Sequence, residues 1–132
     1  MEAIHDRADA DGHIVLAMCD EATVDMAFNF HEASLRRHHI EKFLFVTIGL
    51  DTCARLARNS MPCFHYADDP RARRSSSFGD RDFKRKMIVR TNVILEATEA
   101  NFTVIYSDID VAFLGNPISE FKVGSLLLHI FE

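Results

Sequence analysis

Three pairs of acids stand two residues apart in this sequence, Asp9/Asp11, Asp80/Asp82 and Asp108/Asp110. Each pair offers the hard oxygen donors that Mg²⁺ or Mn²⁺ prefers, so context must separate them. Asp9 and Asp11 lie in the polar stretch from His5 to His13, which superficially resembles a calcium loop. With Asp9, Asp11 and Gly12 at the third, fifth and sixth loop positions, Arg7 falls on the first ligand position. Met18 then falls on the twelfth, where a bidentate Glu is required. Asp80 and Asp82 follow a Ser-rich stretch and precede a helical pattern, so they read as capping and first-turn acids. Only Asp108 and Asp110 close an apolar β-type run, Thr103-Val-Ile-Tyr-Ser-Asp-Ile-Asp110, shortly before the chain breaks at Asn116-Pro117.

Carboxylates at the carboxyl end of a strand in an open α/β sheet sit where such folds bind ligands, and the chemistry suggested is handling of a diphosphate through a divalent ion. If the strand runs through Asp110, both acids point to one face, about 6–7 Å apart. They repel there unless a cation or a turn relieves them. The alternative is a pair of surface or capping acids.

Basic residues recur on one predicted helix as Arg81, Lys84, Arg85, Lys86 and Arg90, with Lys86 and Arg90 four apart and so on one face. Most are expected to be solvated. Arg90, flanked by Ile88, Val89 and Val93, is expected to be partly buried and to pair with Asp108 or contact a phosphate. Asp20 and Asp51 follow strands and share the rim with Asp108, helix capping being the other reading and the favoured one for Asp51. His38 and His39 are expected to end a helix, and His129 to be a core histidine.

The elements that position these residues follow from hydrophobic period. His13 to Asp20, Lys42 to Gly49, Pro62 to Tyr66 and Thr103 to Asp110 read as buried strands, near-continuous in apolar residues as parallel strands covered on both faces should be. Between them, Thr23 caps a helix with Val24, Ala27, Phe28, Phe30, His31, Leu35 and His38 on its apolar face. Asp51 caps a short one with Cys53, Ala54, Leu56 and Ala57 inward, ending at Asn59-Ser60. A long helix from Asp82 to Glu99 is marked by Phe83, Met87, Ile88, Ile94, Leu95 and Ala97. Ala67 to Phe78 reads as a mobile surface loop. The alternation predicts an α/β fold, a mostly parallel Rossmann-like sheet of order 3-2-1-4 with helices on both faces. A polar segment, 1–12, precedes the domain at 13–132.

A chain of 132 residues is one domain, and a formal charge of -5 argues against a nucleic-acid partner, which would demand a basic surface. Cys19, Cys53 and Cys63 are odd in number and lie in or beside apolar segments, so they read as small buried thiols rather than a disulfide framework or a zinc site. No apolar run approaches the roughly 20 residues that span a bilayer, and no signal peptide is evident, so the chain as written is expected to be soluble. Glycine-rich phosphate loops, a Gly-x-Ser-x-Gly elbow and a Cys/His pair at catalytic spacing are all missing, which disfavours hydride transfer, P-loop hydrolysis and acyl transfer. Carbohydrate sites often stack sugar rings on Trp or Tyr, and with no Trp and only Tyr66 and Tyr106, any acceptor platform for a bound sugar is expected elsewhere.

The segments Ile14–Asp20, Phe43–Asp51, Asp82-Phe83, Arg90-Thr-Asn-Val-Ile-Leu95 and, most specifically, Val104-Ile-Tyr-Ser-Asp-Ile-Asp-Val-Ala-Phe-Leu-Gly-Asn-Pro117 together resemble the nucleotide-diphospho-sugar transferase family that includes plant and algal arabinosyl-, xylosyl- and galactosyltransferases. The resemblance implies the amino-terminal half of a GT-A domain. It further implies a UDP-sugar donor, Mn²⁺ or Mg²⁺, retention of anomeric configuration, a glycan or glycoprotein acceptor, and residence in the Golgi lumen. Carried across, Asp110 binds the metal, Asp108 holds the ribose and assists with the metal, and Asp20 borders the nucleotide base. Arg90 stands where the family usually has a lysine near the donor. The family's catalytic domain continues past this block, so the chain is expected to be a partial domain. The competing expectation is a non-catalytic α/β binding or interaction domain with structural acids.

Overall fold

The computed structural model describes residues 1–67 and 80–122. The polar basic connection before the long helix, residues 68–79, and the tail 123–132 with His129 lie outside the described residues.

Four parallel strands form one sheet: β1 (His13–Cys19), β2 (Phe43–Ile48), β3 (Cys63–Ala67) and β4 (Thr103–Ser107), in the order β3-β2-β1-β4. The order is the one expected from sequence, and its cause is visible in the two central strands. Both are buried on both faces, and successive residues go to opposite sides as the period of two requires. Val15, Ala17, Cys19, Phe43 and Phe45 enter one core, while Ile14, Leu16, Leu44 and Val46 enter the other. The first core is closed by α2 (Val24–Phe30) and α3 (Leu50–Arg58) through Val24, Ala27, Phe30 and Leu56. The second is closed by α1 (Glu2–Arg7) and α4 (Arg81–Glu99) through Ile4, Val93 and Ala97.

Helices α2 and α3 therefore cover one face and α4 the other, so the winding reverses between β1 and β4. That reversal opens a crevice at the carboxyl ends of these two strands.

Local departures from the sequence-based expectations each have a physical reason. The stretch 1–12 contains α1, fixed by buried Ile4 and by Arg7, whose guanidinium donates to the carbonyls of Glu41 (2.8 Å) and Phe43 (3.3 Å). The first predicted helix changes character at Phe30, and His31–Arg36 is π-helical, with wider turns. Helix α3 starts two residues earlier than a cap at Asp51 demands, because Gly49 takes φ 113° and serves as the cap; Asp51 is a first-turn acid. Its inward residues are Thr52 and Leu56, while Ala54 and Ala57 are exposed.

On α4 the buried row is Lys86, Val93 and Ala97, and Ile88 and Leu95, expected inside, are 59% and 52% exposed. Asp80 caps this helix, its carboxylate accepting from the Phe83 N–H at 2.7 Å, with Asp82 in the first turn. The cysteines depart most. Cys53 and Cys63 are joined in a disulfide between α3 and β3, and only Cys19 is a free thiol. An odd count excludes complete pairing, not one bond.

Candidate functional site

Strand β4 stops at Ser107, three residues short of the expected end, and Asp108 and Asp110 occupy the turn that follows. Between them Ile109 is only 8% exposed and belongs to the core with Ile118, whereas both acids are exposed. The apolar residue plugs the turn into the core and presents its two neighbours to solvent. Among the described residues, neither carboxylate enters an ion pair or a side-chain hydrogen bond.

Downstream, the backbone is held by the π-helical segment. Buried Ser34 accepts from the Phe113 N–H at 2.9 Å, and His38 Nε2 donates to the Phe113 carbonyl at 2.7 Å. His38 thus ties the acid-bearing loop rather than merely ending a helix. The chain then turns at Asn116, whose side-chain oxygen accepts from the Ile118 N–H at 3.0 Å, with Pro117 opening a helical turn.

Asp20 follows β1 as Asp108 follows β4, and the pairing of Ala17 with Ser107 brings both to one rim. They line a single cleft of about 830 Å³ together with Asp110, Lys86, Arg90, Tyr106 and the apolar Met18, Met26, Phe83 and Met87. The volume lies within the roughly 300–1,000 Å³ typical of small-molecule sites. Sequence reasoning thus named four residues, Asp20, Arg90, Asp108 and Asp110, that the fold brings to one opening. Asp51 instead borders a smaller cavity with Gly49, Thr52 and Arg55.

Two members behave differently from expectation. Asp20 is almost wholly buried and its oxygens are engaged: Oδ1 accepts from the Thr23 N–H and hydroxyl, both at 3.0 Å, and Oδ2 pairs with Lys86 Nζ at 2.5 Å. Lys86, expected among the solvated cations, has a side chain only 9% exposed. A basic helix hides this signal. What reveals it is that Lys86 lies seven residues before Val93, on the stripe that packs against the sheet.

Arg90, one turn further on, is half-buried with its guanidinium 5.4 Å above the Tyr106 ring. Among the described residues it makes no ion pair with Asp108. Burial, and next the Asp108 charge, push the Tyr106 phenol up to about 12, against the opposing pull of Arg90. Burial and then Asp20 likewise push the Cys19 thiol up to about 12, so it stays protonated in the cleft wall.

A second acidic group lies at the opposite rim. Asp9, Asp11 and His13 offer ligand atoms within 4.8 Å of one another, the only such threesome among the described residues. Lys122 Nζ already sits on it, 2.7 Å from Asp9 and 3.0 Å from Asp11. Burial raises the Asp9 pKa, but hydrogen bonds from Lys122 and from the His13 and Asp11 N–H groups outweigh it, leaving about 2.

Fold and cleft together define an open α/β domain with a cleft at its topological switch point, the place where such sheets bind ligands. Residues 38–128 match the model of the nucleotide-diphospho-sugar transferases, and the chain belongs to that family. No curated protein and no solved structure matches it. Lys86, Arg90, Asp108 and Asp110 fall inside the matched span, and Asp20 falls before it. Among the described residues no helix is long and apolar enough to cross a membrane.

Proposed function

We propose that the cleft binds a nucleotide sugar, a UDP-sugar by the family likeness, through a divalent ion held by Asp108 and Asp110, and that the whole enzyme transfers the sugar to a glycan or glycoprotein acceptor. The observation that carries this is the turn Asp108-Ile109-Asp110. Two exposed acids flank a buried anchor at the switch point, and among the described residues no cation neutralises them. The two hard carboxylates would hold Mn²⁺ or Mg²⁺, ions that prefer oxygen donors. When bound, such an ion neutralises charge on a departing diphosphate.

The chain's own residues supply the rest. Arg90, oriented by the Tyr106 ring, presents a guanidinium to the phosphates. Asp108 reaches the ribose as well as the ion. Asp20 acts at the base end of the cleft by fixing Lys86 and the start of α2, since its own oxygens are taken.

The rival reading, a binding domain with structural acids, describes Asp9 and Asp20, whose charges are satisfied internally. It does not describe Asp108 and Asp110. A lumenal, oxidising compartment such as the Golgi agrees with the Cys53–Cys63 bond, because disulfides persist there and are rare in the cytosol. Calorimetric titration with UDP tests the site: heat that requires Mn²⁺ is the expected result, and no heat with or without the ion overturns the proposal.

A further inference from the structure

Asn101-Phe102-Thr103 is the one Asn-x-Ser/Thr triplet among the 132 residues. It occupies the turn between α4 and β4, where Asn101 is exposed and holds φ 66°, a left-handed conformation that Asn tolerates well. The turn is fixed by main-chain bonds alone: the N–H groups of Asn101, Phe102 and Thr103 donate to the carbonyls of Thr98, Ala97 and Gly12 at 3.0, 3.0 and 2.8 Å. Among the described residues the Asn101 side-chain amide takes part in no hydrogen bond, so a substituent on it breaks no internal contact.

Placement matters as much. Asn101 precedes β4 and Asp108 follows it, which sets them on opposite rims of the sheet, on the order of 20 Å apart along the strand. Bulk on Asn101 leaves the cleft open.

A second observation points the same way. The Cys53–Cys63 disulfide belongs to chains that mature in an oxidising lumen, and in that lumen Asn-x-Ser/Thr on a surface turn is an acceptor for N-linked glycan. We infer that Asn101 is N-glycosylated, its donor being an oligosaccharide carried on a polyprenol pyrophosphate and its catalyst the host's oligosaccharyl transferase. The Asn101 amide nitrogen bonds to the sugar C1 as the bond from C1 to the pyrophosphate oxygen breaks. The amide loses one proton and the lipid pyrophosphate leaves. This inference shares the lumenal compartment with the proposed function but does not depend on what the cleft binds.

The test is to carry the chain into the lumen of a eukaryotic secretory host behind a cleavable signal sequence and to treat the recovered protein with peptide N-glycosidase. The wild type and Thr103→Ser are expected to lose the mass of one glycan and migrate faster, with Asn101 appearing as Asp in the released peptide. Asn101→Gln and Thr103→Ala are expected to show no shift. A wild type without a shift, or a shift that persists in Asn101→Gln, overturns the inference. Titration with UDP and Mn²⁺ tests the cleft separately, so the two failures are distinguishable.

Discussion

Replacing Lys86 by Met removes the cation that compensates the Asp20 carboxylate, whose side chain is 8% exposed. What remains to Asp20 is the N–H and the hydroxyl of Thr23. A charge buried with one partner deleted costs about 3–5 kcal/mol, because desolvation is no longer offset. At about 2.1 cal/mol/K of unfolding entropy per residue, the 132-residue chain loses roughly 11–18 °C in Tm for that cost. Asp20→Asn removes the carboxylate that Lys86 pairs with and should likewise destabilise the fold. The double variant Asp20→Asn/Lys86→Met carries no buried charge, and its loss should fall short of the sum of the singles by about 1–3 kcal/mol. Urea unfolding of the four proteins at neutral pH measures the cycle. A Lys86→Met loss under about 1 kcal/mol, or additivity in the double, would refute the argument that this pair is desolvated and coupled.

Reducing Cys53–Cys63, or replacing both by Ser, frees a loop of 10-residue separation and should lower stability by a little under about 3 kcal/mol, read from the denaturant midpoint. No change in midpoint on adding reductant would contradict the bond. Asp9 has its pKa depressed to about 2 from 3.8, so the stability it contributes is fully present above about pH 4 and is lost as pH falls through 2. Asp9→Asn should therefore be less stable than the wild type by the full margin above about pH 4, with the difference shrinking as pH falls toward about 2; an equal difference at pH 7 and at about pH 2 would exclude this linkage.

Much of this arrangement is legible in the residues themselves. The alternation along β1 and β2, with Val15 and Phe45 on one face and Leu16 and Val46 on the other, encodes strands covered twice, and that in turn requires helices on both sides. The run into Asp108-Ile-Asp110 and the break at Asn116-Pro117 mark a strand end from local chemistry alone. Lys86 was hidden because burial of a lysine depends on a partner 66 positions away, and no local pattern announces Asp20. The π-helical turns at His31–Arg36 depend on the loop that Ser34 and His38 hold, again a tertiary cause. Apolar Ile88 and Leu95 satisfied helical periodicity on α4, yet the sheet contacts the stripe of Val93 and Ala97 instead.

The central claim is that Asp108 and Asp110 join a nucleotide diphosphate to the protein through a divalent ion. Calorimetry of UDP binding to the wild type and to Asp110→Asn, each with and without Mn²⁺, tests it most directly. Mn²⁺ should tighten UDP binding at least tenfold in the wild type, worth about 1.4 kcal/mol, and should have no effect in a folded Asp110→Asn. The same Mn²⁺ enhancement in both proteins would contradict the account.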